Sequence, residues 1–304
     1  MNFRQFLRVV EIRTKIVSLS GLLIGTLGAL YYGHAFSWID CLLLWASALA
    51  VDMGTTAFNS FFDYYHQVDT RAFNLEKDKV LVHEKVPPGA ALLIALGLYA
   101  LAAVLGLVLA MAVGWELLLA GVICMAVGFL YNGGPLPISR TPAGELFAGG
   151  FLGYFLPVLT YFVFTRQFVS PMLILALPSF LLVASILTVN NTCDIIGDTA
   201  AGRRTFSILI GATAARWLIP LQGLAAWIII VVILILGLLP APSAIPLALA
   251  GALSIPLYFA MDKRGYSHLS KGPSMGGIAR IFQLYTLGLS LALVIALAQA
   301  KGLY

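Results

Sequence analysis

Two short stretches of this chain place acids and amides directly after long apolar runs. Their polar members are Asn59, Asp63, Asp69, Asn190, Asp194 and Asp198. Asn59 and Asp63 are four residues apart, as are successive members of the second stretch, and residues with that spacing share one face of a helix. Carboxylates are the hard oxygen ligands that Mg²⁺ takes together with the phosphate oxygens of a substrate. The two stretches therefore predict one shared site for Mg²⁺ and a diphosphate, with these six residues as its catalytic groups.

The candidate metal ligands are the carboxylates of this set: Asp63, Asp69, Asp194 and Asp198. Asp69 is off helical register with Asp63, so the chain has to leave the helix to bring Asp69 back to the site. Basic side chains beside the acids can bind the remaining phosphate oxygens, and arginine does so with two parallel hydrogen bonds. The candidate substrate-binding residues are Arg71, Lys77, Lys79, Tyr131, Arg140, Arg203 and Arg204.

Each of these features also has a simpler interpretation. An acid at a membrane edge can cap a helix end, but an ionisable group in a membrane segment costs roughly 2.5–3.5 kcal/mol, so two matched rows favour a shared site. Asp52 is a further candidate for the same cavity, and Glu145 is either a first-turn acid favoured by the helix dipole or a cavity residue. Four aromatic residues form either a membrane-interface belt or a shield for a carbocation. They are Phe61, Phe62, Tyr64 and Tyr65.

The elements that position these residues are apolar helices. The chain of 304 residues is 61% hydrophobic and 10% charged, whereas a soluble domain carries roughly 25% charged residues. Apolar runs of about 18–25 residues, long enough for a bilayer core, recur along the chain. They predict an all-α, multi-pass membrane protein with nine transmembrane helices, at about 16–35, 38–60, 88–111, 114–131, 143–164, 170–190, 216–238, 243–261 and 280–300.

The basic residues indicate the orientation of these helices. With the N-terminus in the cytoplasm, sixteen of the eighteen lysines and arginines fall in inner segments, and only Arg166 and Lys301 fall outside. This is the positive-inside pattern. It predicts a cytoplasmic N-terminus and an outer C-terminus. The net charge of +5 is then explained by membrane topology rather than by binding to nucleic acid. No obligate protein partner is predicted.

The whole chain, residues 1–304, is expected to be a single domain. The two polar stretches are offset by four helices, which suggests a duplicated four-helix unit (helices 1–4 and 5–8) closed by a ninth helix. The long inner loops carry the polar chemistry and are expected to cap a central cavity from the cytoplasmic side.

Three motifs resemble those of the UbiA superfamily of intramembrane aromatic prenyltransferases, and among them the 1,4-dihydroxy-2-naphthoate prenyltransferases of menaquinone synthesis. The first is an N-D-x-x-D-x-x-x-x-x-D-T type motif, matched by Asn59, Asp63, Asp69 and Thr70. The other two motifs are matched by Gly133, Gly134, Pro135, Pro137 and Gly144 to Phe147, and by Asn190, Asn191, Asp194, Asp198, Gly202, Arg204 and Thr205. The resemblance spans nearly the whole chain, with the motifs in the same order.

This resemblance implies Mg²⁺-dependent transfer of a polyprenyl group from a polyprenyl diphosphate to an aromatic acceptor, with 1,4-dihydroxy-2-naphthoate as the expected acceptor. It also implies nine helices around a dry cavity in a prokaryotic-type plasma membrane. The alternatives are a relative with another aromatic or lipid acceptor, a catalytically silent relative, or a secondary transporter. A transporter would carry its acids near the bilayer centre, whereas this chain carries them at the inner helix ends.

The chain departs from the family motifs at several positions. Ser60 replaces an acid, Gln67 a glycine, Cys193 an arginine and Arg203 a lysine. We expect the loss at Ser60 to shift metal affinity. The change at Cys193 suggests either that another arginine compensates or that the acceptor is less acidic, so Cys193→Arg is expected to be tolerated or to improve use of dihydroxynaphthoate.

Overall fold

The structure is a computed structural model that describes residues 1–66, 79–84 and 86–302. Within these residues, nine helices are long and apolar enough to cross a membrane, which makes the chain an integral multi-pass membrane protein. They are α1 (Ile12–Gly33), α2 (Trp38–Tyr65), α3 (Pro88–Val113), α4 (Trp115–Asn132), α5 (Gly144–Thr165), α6 (Ser170–Cys193), α7 (Ala212–Ile235), α8 (Ala241–Arg264) and α9 (Lys271–Ala300). The predicted all-α fold is confirmed.

The outer surface of the bundle is apolar. Ile235, Met111 and Phe259 are 77%, 76% and 72% exposed. Exposed apolar surface on this scale is unfavourable in water and marks a surface that another apolar phase covers. Lipid is therefore the solvent of the helix exteriors, and the polar residues gather at one end and along an internal cavity.

The helices pack closely where glycine allows backbones to approach. A Cβ atom added at Gly25 of α1 would clash with the Pro157 carbonyl oxygen of α5, and one at Gly153 of α5 would lie 2.6 Å from the Ser179 carbonyl oxygen of α6. Small residues have this role in membrane bundles because no hydrophobic force draws helices together in lipid. The glycines therefore fix α1, α5 and α6 against one another. α7 packs on α6, and α8 packs on α9.

Two helix ends differ from the sequence-based expectation. α2 continues to Tyr65, and α9 begins at Lys271 rather than near residue 280. The segment that opens α9 contains two glycines and a proline, which disfavour a helix by propensity. Pro273 is nevertheless compatible with the first turn, where the backbone N–H groups have no partner inside the helix. Arg280, expected at the start of α9, consequently lies more than two turns inside it.

A short helix precedes the first span and was not predicted. It covers Phe3–Val9 and begins with a capping box, in which the Asn2 side chain accepts from the Gln5 backbone N–H and the Gln5 side chain accepts from the Asn2 backbone N–H. Such reciprocal bonds satisfy two otherwise unpaired donors at a helix start. We call Phe3–Val9 the N-terminal helix.

Candidate active site

A cavity of about 1670 Å³ lies inside the bundle. Its wall is formed by the N-terminal helix, by α1 to α6 and by α9, whereas no described residue of α7 or α8 contributes to it. Among the described residues, both predicted polar stretches open onto this one cavity. The predicted arrangement of a central cavity with two polar stretches at one end is therefore present.

The first row of polar side chains belongs to α2. Asn59 and Asp63 both line the cavity, as their four-residue spacing predicts. Asp52 and Thr56 line it as well and extend the same helical face toward the apolar interior. Asp69, the third predicted acid, lies outside the described residues, as do Arg71 and Lys77.

The second row spans the end of α6. Asn190, Asp194 and Asp198 all line the cavity. The helix is interrupted at Asp194, which has φ −99° and ψ 4°, and a short helix follows at Ile195–Ala200. The backbone N–H of Asp194 nevertheless donates to the Asn190 carbonyl oxygen at 3.1 Å, and that of Asp198 donates to the Asp194 carbonyl oxygen at 2.8 Å. The helical register that aligns the row, as its four-residue spacing predicts, is therefore kept across the interruption.

Both acids of the second row meet basic side chains of the chain itself. Lys271 Nζ lies 2.7 Å from Asp194 Oδ2, and Arg203 Nη1 lies 2.9 Å from Asp198 Oδ1. The second guanidinium nitrogen of Arg203 also donates to the Ser139 carbonyl oxygen at 3.0 Å. Lys271 was predicted only as an inner-face charge, because its helix was expected to begin later.

The electrostatics of the Asp198–Arg203 pair follow from its burial. Burial raises the pKa of Asp198 above its usual value, while the positive charge of Arg203 opposes that rise. Burial acts to lower the pKa of Arg203, but the negative charges of Asp198 and then Asp63 outweigh it and raise the pKa above its usual value. Arg203 therefore stays charged, and it experiences the acids of both rows.

The remaining candidate substrate-binding residues have different surroundings. Lys79 lines the cavity and contacts Glu11 at 3.0 Å, and Tyr131 lines it while donating to the Gly144 carbonyl oxygen at 3.4 Å. Arg140 and Arg204 are not among the residues of the cavity wall. The Arg140 side chain donates to the Ala201 carbonyl oxygen at 3.1 Å, and the Arg140 carbonyl oxygen accepts from the Arg204 backbone N–H at 2.9 Å. In this structure these two residues join neighbouring loops.

Two further contacts, one ion pair and one hydrogen bond, support the rows. Lys15 Nζ lies 2.6 Å from Asp52 Oδ1 and donates to Thr56 Oγ1 at 2.7 Å, which ties α1 to α2. Glu145 accepts a hydrogen bond of 2.8 Å from the side-chain amide of Asn191, which ties α5 to α6. Glu145 is thus a first-turn acid that also supports the second row. Spacing alone gave no signal for either contact, since each joins residues distant in sequence.

The four aromatic residues after Asn59 that could have formed a carbocation shield do not line the cavity. Phe61, Phe62, Tyr64 and Tyr65 are absent from the wall, and Tyr65 is 70% exposed, which fits an interface belt. The rings that line the cavity include a row from α5, namely Phe147, Phe151 and Phe155. Successive ring centroids in this row are 6.0 Å and 5.8 Å apart. Their four-residue spacing was visible in the sequence.

The structure also shows the surroundings of two residues that depart from the family motifs, Ser60 and Cys193. Ser60 faces away from the cavity, is buried, and donates to the Val9 carbonyl oxygen at 3.1 Å, so an acid at this place would not face the other acids. Cys193 is 4% exposed and belongs to the main apolar core at the edge of the cavity.

The donor set fits a hard divalent cation. Asp63, Asp194 and Asp198 present carboxylates to one cavity, and Asp198 Oδ2 is buried with no hydrogen-bond partner among the described residues. A buried, unpaired carboxylate oxygen is costly unless a cation or donor reaches it. Within the described ranges no three acidic, histidine or cysteine side chains converge closely enough to hold a metal alone.

A nine-helix membrane bundle with two acid rows over an apolar cavity is the architecture of an intramembrane prenyltransferase. The chain matches the UbiA prenyltransferase family over residues 18–272, and it belongs to that family. This membership makes it a prenyltransferase rather than a transporter.

The proteins to which this chain is similar in sequence or in structure include named prenyltransferases and UbiA homologues. A 1,4-dihydroxy-2-naphthoate octaprenyltransferase of Bacillus subtilis (strain 168) is 34% identical, over 74% of this chain and 71% of that protein. A protein of the same name from Mycobacterium tuberculosis is 29% identical, over 74% and 75% of the two chains. The structure of a UbiA homologue from Aeropyrum pernix K1 has a TM-score of 0.64 at 19% identity and covers 95% of this chain and 98% of that one. A UbiA homologue from Archaeoglobus fulgidus, bound to DMAPP and Mg²⁺, has a TM-score of 0.61 at 16% identity, covering 93% and 99%.

Proposed function

We propose that this enzyme transfers a polyprenyl group from a polyprenyl diphosphate to 1,4-dihydroxy-2-naphthoate, with Mg²⁺ as its metal. The observation that carries the proposal is the pair of acid rows facing one cavity, with basic partners beside the acids and an apolar wall beyond them. The curated relatives named as 1,4-dihydroxy-2-naphthoate octaprenyltransferases support this choice of acceptor and reaction.

Each polar residue of the site has a role in this reaction. Asp63, Asp194 and Asp198, together with Asp69, would hold the metal, which would neutralise charge on the departing diphosphate. Lys271 and Arg203, now paired with Asp194 and Asp198, donate to the diphosphate oxygens. Donors fixed where negative charge develops stabilise the transition state without reorganisation. Asn59 and Asn190 supply further neutral oxygens and amide donors on the same faces.

In the transfer itself, the bond between prenyl C1 and the diphosphate oxygen breaks, and its electron pair leaves with the diphosphate. A carbon of the acceptor ring bonds to C1 and then releases its former substituent, a proton or carbon dioxide, which restores aromaticity. The rings of Phe147, Phe151 and Phe155 offer negatively polarised faces to the allylic cation. Their apolar surroundings exclude the water that would otherwise capture it.

The site is proposed to open toward the cytoplasm, the side from which a soluble naphthoate and the charged head of a membrane-held polyprenyl diphosphate can enter. This places the N-terminus in the cytoplasm and the C-terminus outside, in a prokaryotic-type plasma membrane, as the distribution of lysine and arginine favours. No protein partner is needed for the reaction.

The test is turnover of the purified enzyme with labelled polyprenyl diphosphates of several lengths and a panel of aromatic acids. Prenylated naphthoquinol should form with Mg²⁺ and should fall to background in excess EDTA, with recovery when Mg²⁺ is restored. Undiminished turnover in EDTA would contradict the metal assignment. Product formed only with other aromatic or lipid acceptors would contradict the choice of acceptor and leave the prenyl transfer intact.

A further inference from the structure

Arg280 is a charged side chain inside a membrane-spanning helix. It follows the first residue of α9 by nine positions, about 13.5 Å along the helix axis at the usual rise per residue. It lines the cavity and is exposed there. Among the described residues it has neither a carboxylate at ion-pair distance nor a hydrogen-bond partner for its side chain.

Three other cations of the same wall differ from Arg280 in this respect. Lys271 meets Asp194, Arg203 meets Asp198, and Lys79 meets Glu11. An ionisable group in a membrane segment costs roughly 2.5–3.5 kcal/mol on insertion scales, and such residues are rare unless they face a cavity and serve a function there. Arg280 therefore presents a positive charge to the cavity that no described side chain neutralises.

The wall between Lys271 and Arg280 is open. Gly276 lies one helical turn from Arg280, and Gly272 lies two turns from it, on the same helix face. A Cβ atom added at either glycine would meet no atom within 4 Å. Gln283 follows Arg280 by three positions and also lines the cavity, so its amide can add a donor beside the guanidinium. We call the face of α9 that carries Gly272 and Gly276 the strip. It leads from the Asp194–Lys271 pair to Arg280 and has room for a flat ring.

We propose that Arg280 binds the carboxylate of the aromatic acceptor, with Gln283 beside it, while the acceptor ring lies over Gly272 and Gly276. A guanidinium matches a carboxylate with two parallel hydrogen bonds. The ring then lies between Arg280 and the diphosphate end of the cavity, where prenyl C1 is released. This assignment rests on the proposed function, and it makes Arg280 the residue that selects an acidic acceptor.

A phospholipid headgroup offers the same anionic chemistry to an exposed arginine. The two sources differ in what they predict for acceptor binding. An arginine that binds the acceptor discriminates between a carboxylated ring and the same ring without its carboxylate. An arginine that binds headgroups affects both rings equally and depends on the lipid.

The experiment measures equilibrium binding to the full-length protein in phosphatidylcholine nanodiscs, by calorimetry and without polyprenyl diphosphate. The probes are 1,4-dihydroxy-2-naphthoate and 1,4-dihydroxynaphthalene, under reducing conditions. Arg280→Gln should weaken binding of the naphthoate roughly 10- to 100-fold, the usual range for a lost charged hydrogen bond, and should change binding of the dihydroxynaphthalene less than twofold. Arg264→Gln, an exposed inner-face arginine outside the cavity wall, is the matched control and should change neither.

A second variant keeps the assignment testable if Arg280→Gln folds poorly. Gly276→Leu fills the strip and leaves Arg280 in place, so it should abolish binding of both rings. Equal effects of Arg280→Gln on both probes would overturn the proposal, as would an effect that appears only in phosphatidylglycerol nanodiscs. Normal naphthoate binding by Gly276→Leu would overturn the position of the ring. Arg280-dependent naphthoate binding without prenyl transfer would uphold the anion site and reject the proposed reaction.

Discussion

At the scale of single residues, the acids of the second row are paired with basic side chains of the chain itself. Asp194 and Asp198 would repel each other and resist burial if both stood alone, whereas Lys271 and Arg203 neutralise them. Removing one partner from a buried pair commonly costs 3–5 kcal/mol, because the other charge is left uncompensated. In the proposed reaction the same cations would donate to the incoming diphosphate, and the pairs would hold the acids in place until it binds.

The first prediction concerns the two acid rows. Asp63→Ala and Asp194→Ala should each lower turnover by at least about 100-fold, as loss of a group that stabilises transition-state charge does, while insertion into the membrane is unchanged. Turnover and membrane-fraction content are measured together. Asp262→Ala is the control, since this exposed acid bonds to Arg216 away from the cavity. Near-native turnover of either cavity variant would make that row structural.

The second prediction concerns Cys193. Because the thiol is buried in the apolar core, Cys193→Arg should now lower the midpoint of thermal unfolding, whereas Cys193→Ala should fold and retain turnover. An unpaired charge in an apolar interior is strongly unfavourable. Thermal unfolding followed by size-exclusion fluorescence measures both variants. A well-folded Cys193→Arg enzyme with better use of dihydroxynaphthoate would restore the sequence-based idea of an empty arginine site.

The third prediction concerns the contact between α5 and α6. Glu145→Leu leaves the buried amide of Asn191 without its acceptor, which should cost about 1–3 kcal/mol of stability and reduce turnover. Glu145→Gln keeps a carbonyl oxygen for that amide and should retain more of both. The midpoint of thermal unfolding and turnover report the two effects. Equal behaviour of the two variants would mean that the hydrogen bond has no role in holding the second row.

At the scale of the elements, the periodicity of the sequence predicted the faces better than the ends. The four-residue spacing of Asn59 with Asp63 placed both on the cavity wall, and the register of the second row survives the interruption at Asp194. The start of α9 could not be predicted, because Gly272, Pro273 and Gly276 weaken the local helix signal and the helix depends on tertiary packing. Because the start of α9 was predicted too late, the sequence did not place Lys271 and Arg280 on the cavity face of this helix.

The fourth prediction concerns the N-terminal helix, whose Arg8 and Gln5 both contact Glu84. The hydrogen bond from Gln5, together with the charge of Arg8, lowers the pKa of Glu84 below its usual value. A carboxyl whose folded pKa is lowered stabilises the contact fully above its unfolded pKa, and the contribution is lost as the pH falls through the folded value.

A nitroxide at Phe3→Cys in a variant without native cysteines should therefore gain mobility as the pH falls below about 4, the usual range of a glutamate. Electron paramagnetic resonance line shapes measure this mobility. In Glu84→Gln the label should be mobile with little dependence on pH. A label that is equally immobile at all pH values in both proteins would show that Glu84 does not hold the N-terminal helix.

At the scale of the whole molecule, an apolar exterior surrounds a cavity that is polar at one end and apolar beyond it. This distribution suits a substrate with a charged head and a long hydrocarbon tail, because head and tail each meet their preferred surroundings in one continuous space. The composition of the chain predicted the lipid-facing exterior and the number of spans. It could not predict which seven of the nine spans line the cavity in the described structure, since that depends on packing between distant segments. The duplication of a four-helix unit stays a prediction.

The final prediction concerns topology and with it the shared site. We expect the two ends of the chain to lie on opposite sides of the membrane, because the described residues contain nine candidate spans, and the lysine and arginine distribution favours a cytoplasmic N-terminus. In a variant without native cysteines, a membrane-impermeant maleimide added to intact cells should label Gln167→Cys and Lys301→Cys. It should reach Phe3→Cys, Lys77→Cys and Ser267→Cys only after the cells are made permeable. Labelling of Lys77→Cys and Ser267→Cys from opposite sides would rule out a site shared by the two acid rows, because Lys271 in the following helix meets Asp194 of the second row.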